Sequence, residues 1–290
     1  MATKQTTSKI QDISLAHSPD SDDAFMFYAL ATGKVRTPGL KFTHKLSDIE
    51  TLNQEAKKEK YDVTAVSFYA SAFLQKNYVL LDCGASFGDG YGPMLVALHP
   101  LKRKELAGLR VAVAGLWTTS YLALKLYEPK IIPVVVPFDE ISEAVTAGTV
   151  DAGLLIHEGQ LLYQQTGLHR VADLGQWWGK ETGMPLPLGG NMIRRALGPE
   201  VGKAVAKAIR ESVTYALAHR EDALKYAMQF ARDMDPELAD KFVGMYVNQW
   251  TLGFGEKGRG AVRELLARGA EAGLLPASGA NVDFLSETTP

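Results

Sequence analysis

The chain has 290 residues, of which 46% are hydrophobic and 22% are charged. This composition is typical of a folded globular protein and excludes a disordered, collagenous or coiled-coil chain. The 31 basic and 33 acidic residues give a net charge of −2, so no overall basic field attracts nucleic acid. The single cysteine, Cys83, excludes an internal disulfide and a thiolate metal cage, and it suits a reducing compartment.

The first eleven residues are mostly polar, include two lysines and contain no apolar run. A secretory signal needs an apolar region of about 7–15 residues, and a membrane span needs about 18 or more consecutive apolar residues. The sequence contains neither pattern. We therefore expect a cytoplasmic protein with no membrane span.

Short apolar runs rich in β-branched residues alternate with segments of helical periodicity from the N-terminus onward. The predicted strands are residues 13–17, 40–46, 62–66, 78–82, 94–99, 109–114, 131–136 and 150–156. The predicted helices between them are residues 23–31, 48–58, 68–75, 118–127 and 140–147, with another after residue 156. From Pro199 onward the pattern predicts helices only, which we expect to pack onto the first lobe.

Strands that alternate with helices indicate parallel α/β sheets, and the alternation occurs in two runs. We therefore predict an α/β protein with two lobes, in which the chain crosses between the lobes twice. The first lobe comprises residues 1–97 and 191–290, and the second comprises residues 98–190. Ligands of open α/β sheets bind at the carboxyl ends of the strands, so the cleft between the lobes is the expected site.

The segment 18–25 lies between a predicted strand and a predicted helix. Its hydroxyl and backbone N–H groups suit an anion or a sugar hydroxyl. However, three aspartates, at positions 20, 22 and 23, oppose a bare anion. A capped turn with acidic residues at a helix start explains the segment better.

The segment 115–121 also lies between a strand and a helix, and it places Thr118, Thr119 and Ser120 at the helix start. Hydroxyl and N–H donors at the positive end of a helix dipole suit a carboxylate or a phosphate. Ordinary capping by threonine explains the same pattern equally well.

His157 follows the apolar strand 150–156, whose carboxyl tip we expect to point into the cleft. Imidazole titrates near neutral pH and transfers protons. We therefore predict His157 as a catalytic base, oriented by Glu158 or by a backbone carbonyl. His17, at the end of the first strand, is the second candidate.

Other motifs are less informative. The glycine-rich segment 84–92 lacks the spacing of a dinucleotide fingerprint, and we expect it to form a turn near the ligand or the hinge. Trp177 and Trp178 suit a pocket wall or, for at least one of them, the core. His157 and Glu158 lack a second histidine in register for a zinc helix.

Together these segments resemble the MqnD family, the 1,4-dihydroxy-6-naphthoate synthases of the futalosine pathway of menaquinone biosynthesis. The resemblance extends from about residue 12 to about residue 275. The segments that carry it are Ser18-Pro19 with Asp23 and Phe25, residues 50–53, Ser67, residues 92–93, Thr118-Thr119, residues 156–158, residues 173–175 with Trp177-Trp178, residues 182–183 and 185–189, residues 212–213 with 215–219, and residues 246–248.

The resemblance implies a two-lobed, periplasmic-binding-protein-like fold of type II and an enzyme that needs no cofactor or metal. The implied substrate is cyclic dehypoxanthinyl futalosine, a small carboxylated molecule, and the implied products are 1,4-dihydroxy-6-naphthoate and dihydroxyacetone. His157 would be the general base, and Thr118 and Thr119 would hold carboxylate or hydroxyl groups. The first-lobe side of the cleft would be lined by Ser18, Asn53 and Ser67.

The family pattern Ser-Pro-Cys-Pro-Asn-Asp-Thr-Phe reads Ser-Pro-Asp-Ser-Asp-Asp-Ala-Phe in this chain. The change of an amide to Asp22 and of a hydroxyl to Ala24 can alter contacts in this lobe, so no role is carried over to either position. Two alternatives stay open: a solute-binding protein of a transporter, and chorismate dehydratase, which has the same fold. The oligomeric state is also open, a homodimer included.

Overall fold

Two β-sheets organise the chain, and the computed structural model describes residues 10–231 and 234–288. The strands are β1 (Gln11–His17), β2 (Leu40–Leu46), β3 (Val63–Ser67), β4 (Tyr78–Leu81), β5 (Ser86–Gly88), β6 (Met94–Ala97), β7 (Arg110–Val113), β8 (Ile132–Val135), β9 (Ala152–Leu155), β10 (His169–Asp173), β11 (Leu186–Arg194) and β12 (Phe284–Leu285).

The helices flank these sheets. They are α1 (Ser21–Ala31), α2 (Ile49–Ala56), α3 (Phe68–Ser71), α4 (Thr119–Tyr127), α5 (Ile141–Thr146), α6 (Gly159–Leu162), α7 (Leu174–Thr182), α8 (Pro199–Ala218), α9 (Arg220–Ala227), α10 (Pro236–Tyr246), α11 (Gln249–Leu252) and α12 (Gly255–Glu271). No helix in the described ranges is long and apolar enough to cross a membrane.

The seven-stranded sheet has the order β12-β4-β11-β3-β1-β2, with β5 also paired to β11. The five-stranded sheet has the order β10-β6-β9-β7-β8. In the first sheet β1 is parallel to β2 and β3, and in the second β7 is parallel to β8 and β9. We call the part built on the seven-stranded sheet the first lobe and the part built on the five-stranded sheet, residues 94–183, the second lobe.

Strand pairing places the two crossings differently from the predicted borders at 97/98 and 190/191. Strand β6 pairs with β9 and β10 and so belongs to the second sheet. Residues 186–190 of β11 already pair with β5 and β3 of the first sheet. Local sequence pattern predicted a strand at residues 94–99 but could not identify its partners, and it did not predict β11 as a strand.

The helical tail packs as a layer on the first lobe, as its apolar periodicity predicts. Val205, Ile209 and Val213 of α8 are fully buried against α1. The hydroxyl of Ser212 in α8 donates to the carbonyl of Met26 in α1 at 2.8 Å, which joins the two helices. The last long helix, α12, also reaches the second lobe, where Gly269 lies against the side chain of Leu122 of α4.

The carboxyl ends of the central parallel strands meet at the gap between the lobes. Ser18 follows β1 and Ser67 ends β3, while the loop before α4 follows β7 and His157 follows β9. The fold therefore brings together segments that are more than a hundred residues apart in the chain.

Candidate active site

A cleft between the lobes holds about 760 Å³ of unfilled space, its open mouth included. Both lobes contribute to the walls. The polar residues that line it are Ser18, Asp22, Asp23, Ser67, Ser86, Thr118, Thr119, Ser120, His157, Gln160, Asn191 and Tyr246.

His157 lies in this cleft, on the second-lobe side. Its Nδ1 is 3.2 Å from Oδ2 of Asp20, which belongs to the first lobe, and its ring packs edge-on against Phe138. Burial by itself would lower the pKa of His157, but the nearby carboxyl groups, Asp20 first among them, outweigh it and raise that pKa. The carboxylate of Asp20 is thus a contact of the His157 ring that the sequence did not predict, beside the expected Glu158 or backbone carbonyl.

The backbone at His157 has a φ of 52°, a left-handed conformation that is uncommon for a residue with a side chain. Residues held in such conformations concentrate at functional sites, where the surrounding structure imposes them. Here the conformation turns the chain between β9 and α6 and leaves the imidazole in the cleft wall.

Three carboxyl groups cluster at the start of α1. Asp20 pairs with His157, and Asp23 accepts hydrogen bonds from the backbone N–H and the hydroxyl of Ser18 at 2.9 and 2.7 Å. Oδ1 of Asp22 is buried without a hydrogen-bond partner among the described residues. Burial and the neighbouring carboxylates raise the pKa of Asp22 to about 8, and burial raises that of Asp23 to about 6.

The helix start at α4 combines a cap with a donor site. The Thr118 hydroxyl accepts from the N–H of Tyr121 at 3.2 Å and donates to the carbonyl of Gly115 at 2.9 Å. The Thr119 hydroxyl accepts from the N–H of Tyr69, in the first lobe, at 3.1 Å. Both threonines line the cleft. The first N–H groups of α4 have no partner inside the helix, so capping and ligand binding are compatible here.

Asn53 is the one predicted substrate contact that does not reach the cleft. It is fully buried behind Ser67, and its Oδ1 accepts from the Ser67 N–H at 2.9 Å. Its amide also donates to the Ser67 hydroxyl at 3.2 Å and to the carbonyl of Trp117 at 3.3 Å. Asn53 therefore fixes Ser67 and ties the first lobe to the second, while Ser18, Ser67, Thr118 and Thr119 line the cavity.

Sequence reasoning missed Asn191, Tyr246 and Gln160. The Asn191 amide donates to the carbonyl of Gly84 at 2.6 Å, and the Tyr246 hydroxyl donates to Oε1 of Gln160 at 2.7 Å across the two lobes. A single amide within the apolar strand β11 was the available signal for Asn191. Tyr246 lies near the end of a helix, and nothing local predicts that it reaches the cleft.

The secondary candidates lie elsewhere. His17 is buried outside the cleft wall, with Nδ1 3.0 Å from the carbonyl of Ser18 and Nε2 3.0 Å from Nδ1 of His44. Burial lowers its pKa to about 4. Trp178 is fully buried in the core and Trp177 packs against it. The Cys83 thiol is buried, which raises its pKa to about 12 and makes it a poor nucleophile.

A family model described as menaquinone biosynthesis matches residues 13–271. The chain belongs to the menaquinone biosynthesis family. One relative in it, from Thermus thermophilus, is named 1,4-dihydroxy-6-naphthoate synthase and is 43% identical over 265 residues, covering 91% of this chain and 96% of the relative. A Streptomyces coelicolor protein of the same name is 40% identical over 274 residues, which cover 92% of this chain and 96% of that relative.

Within this menaquinone biosynthesis family the chain is an enzyme of the lyase class, and its resemblance to the 1,4-dihydroxy-6-naphthoate synthases is confirmed. A crystal structure of an Archaeoglobus fulgidus protein, 46% identical, superposes with a TM-score of 0.88 over 91% of this chain and 98% of that one. The alkanesulfonate-binding protein SsuA of Xanthomonas axonopodis, bound to MOPS, superposes with a TM-score of 0.70 and is 14% identical. The match covers 94% of this chain and 96% of that one. The predicted two-lobed, periplasmic-binding-protein-like fold is confirmed.

Proposed function

We propose that this protein converts cyclic dehypoxanthinyl futalosine into 1,4-dihydroxy-6-naphthoate with release of dihydroxyacetone, and that His157 is the general base. The observation that carries the proposal is the imidazole of His157 in the wall of the cleft, with its Nδ1 paired to the carboxylate of Asp20. A histidine held in this way presents the lone pair of Nε2 to a substrate.

Asp20 supports the base in two ways. Its carboxylate accepts a hydrogen bond from Nδ1–H and so selects the tautomer in which Nε2 is unprotonated. The same negative charge stabilises the imidazolium that forms once Nε2 has taken a proton from an acidic C–H or O–H of the substrate. Loss of that proton begins the cleavage of the carbon–carbon bond, and formation of the aromatic ring favours the overall reaction.

The substrate carboxylate would bind at the start of α4. The N–H groups of the first turn and the positive end of the helix dipole favour an anion there, and Thr118 and Thr119 line the cavity at this point. Ser18 and Ser67 would contact the substrate from the first lobe, and Asn53 would hold Ser67 in place. These positions orient the substrate between the base and the carboxylate site.

Closure of the lobes would assemble the site. Asp20 and His157 belong to different lobes, as do Tyr246 and Gln160, and both pairs are in contact. A lid or lobe movement that brings such pairs together also excludes water from the reaction. We propose that the base is oriented only when the lobes are closed.

Two other functions fit the same fold, which is shared with solute-binding proteins. A transporter component would bind the substrate without changing it, and chorismate dehydratase would act on chorismate instead. The paired Asp20 and His157 favour proton transfer, which binding alone does not need. A cytoplasmic location and a homodimer stay predictions.

The deciding experiment is incubation of the purified protein with cyclic dehypoxanthinyl futalosine, with the formation of naphthoate followed by its absorbance and dihydroxyacetone followed by mass spectrometry. A parallel reaction contains chorismate. We expect equimolar naphthoate and dihydroxyacetone from the first substrate and no turnover of the second. Binding of the futalosine derivative without conversion would favour the transport function and would contradict the proposal.

A further inference from the structure

We propose that Asp22 acts as a neutral carboxylic acid and donates a hydrogen bond to the substrate oxygen that gains negative charge when His157 removes the proton. The inference rests on the proposed function for the identity of the base. It deepens that function by assigning the group that stabilises the negative charge left on the substrate. In this step the proton passes to Nε2 of His157, the electron pair moves onto the substrate oxygen, and Asp22 keeps its own proton.

The contacts of the three clustered carboxyl groups distinguish Asp22 from the other two. Asp20 is paired with His157, and Asp23 is held by two hydrogen bonds from Ser18. Asp22 is 8% exposed, lines the cavity, and has a buried Oδ1 without a partner in the described ranges. A buried carboxyl oxygen is costly to leave unpaired, so this group is suited to a hydrogen bond with a ligand.

A second unpaired group points to a polar ligand in the same cavity. Asn191 is 2% exposed, and its amide nitrogen donates to the carbonyl of Gly84. Its Oδ1 has no partner among the described residues. Asn191 comes from β11 and Asp22 from α1, so the two observations are independent. The cavity wall thus offers an acceptor at Asn191 and a carboxyl group at Asp22, a combination that suits a ligand rich in hydroxyl and carbonyl groups.

The charged groups around Asp22 keep it protonated. Asp20 and Asp23 lie on the same turn and repel its negative form, and burial disfavours that form further. From other elements, His157 favours the charged form, and Tyr246 of α10 is close enough for its own pKa to be raised partly by Asp22. The sum raises the pKa of Asp22 to about 8, so it is mostly neutral at pH 7.

A neutral acid has two advantages over a carboxylate at this position. It avoids repulsion of a substrate that carries its own carboxylate, and it supplies a donor where negative charge develops. Preorganised donors of this kind accelerate reactions by about 10²–10³-fold. An apolar, buried environment that keeps a carboxylic acid neutral at pH 7 is a known arrangement for an oxyanion hole.

The test compares Asp22→Asn with Asp22→Ala. Asparagine is neutral and keeps a donor of the same size, so we expect a loss of about tenfold in kcat, against about 10²–10³-fold for alanine.

Wild-type activity should fall above about pH 8 as Asp22 ionises, and this fall should be absent from Asp22→Asn. Asp222→Asn, at an exposed position, is the matched control and should keep the wild-type pH profile. Equal losses in the two Asp22 variants, or an alkaline fall that persists in Asp22→Asn, would overturn the proposal.

A second measurement needs no substrate. The infrared difference between the wild type and Asp22→Asn at pH 6.5 should contain the C=O band of a protonated carboxyl group, and the band should disappear above about pH 8. Its absence at pH 6.5 would overturn the inference whatever the enzyme's activity. Failure of the wild type to convert the substrate, in contrast, would count against the proposed function alone.

Discussion

Nδ1 of His157 lies 3.2 Å from Oδ2 of Asp20, although 137 residues separate the two in the chain. The pair bridges the lobes, because Asp20 precedes α1 of the first lobe and His157 follows β9 of the second. A base whose orienting carboxylate comes from the opposite lobe is complete only when the lobes meet. Under the proposed function, this geometry links substrate binding to proton transfer.

Replacing His157 should abolish most turnover and leave binding intact. His157→Gln removes the base but keeps a polar side chain of similar size, and we expect kcat to fall by about 10²–10⁴-fold. Absorbance of the naphthoate product measures turnover, and calorimetry measures substrate affinity. His169→Gln, at an exposed position of β10, is the control and should behave as the wild type. Unchanged turnover in His157→Gln would rule out this histidine as the base.

Asp20→Asn tests the positioning role of Asp20. The amide no longer selects the Nε2-unprotonated tautomer, so kcat should fall by up to about 10⁴-fold while KM changes little, as for the orienting carboxylate of other histidine bases. The Asp20 charge raises the pKa of His157, so its removal should move the acidic limb of the pH profile to lower pH. A purely structural role would change stability but would leave the position of that limb unaltered.

The contact between buried His17 and partly buried His44 makes the fold sensitive to acid. Burial lowers the pKa of each to about 4, whereas an unfolded histidine titrates near 6.5. Between these values the unfolded chain binds more protons, so the free energy of unfolding falls as the pH decreases from about 6.5 to 4.

His44→Gln should reduce this pH dependence by up to one proton, as measured by urea unfolding at pH 7 and pH 5. His99→Gln, at an exposed position, is the control and should leave the slope unchanged. An unchanged slope in His44→Gln would show that His44 is already charged in the folded protein.

Gly175 is required where α7 begins beside the crossing into the second lobe. A Cβ there would overlap the carbonyl of Tyr91 and lie 2.6 Å from the N–H nitrogen of Gly92. Gly175→Ala should therefore cost about 1–3 kcal/mol and lower Tm by several degrees. The new Cβ of Gly260→Ala in α12 meets no atom of the described residues within 4 Å, so this change should raise stability by about 0.5–1 kcal/mol. Scanning calorimetry measures the Tm of both variants. Equal Tm values for Gly175→Ala and Gly260→Ala would contradict this account.

Local pattern predicted most of the strands and the helices between them, because burial on a pleated or helical surface leaves a periodic trace in the sequence. It missed β5, β10, β11 and β12. Among the described strands, β10 lies at the edge of its sheet and is partly exposed. Strand β11 lies inside its sheet, but Pro187, Gly189 and Gly190 interrupt its strand pattern. Local pattern also predicted residues 68–75 as one helix, whereas α3 ends at Ser71 and turns follow. Periodicity is weakest where one side of an element meets solvent or where a helix is a single turn.

The candidate site divides in the same way. His157, Thr118 and Thr119 could be selected from sequence because each follows a strand, and strand ends face ligands in this class of fold. Asn53 was selected as a contact but lies behind Ser67, since its side chain is used to join the two lobes. Residue type and position in an element do not show whether a polar side chain bonds to other residues of the protein or faces the cavity.

By itself, the sequence determined the fold class, the family and the segments from which the cleft is built, because these depend on periodic burial and on local motifs. The tertiary structure alone decided that Asp20 faces His157, that Asn191 and Tyr246 reach the cavity, and that Asp22 is surrounded by other carboxyl groups. The reason is physical. Hydrogen-bond partners and protonation states depend on distance and burial in three dimensions, which only the packing of one lobe against the other sets.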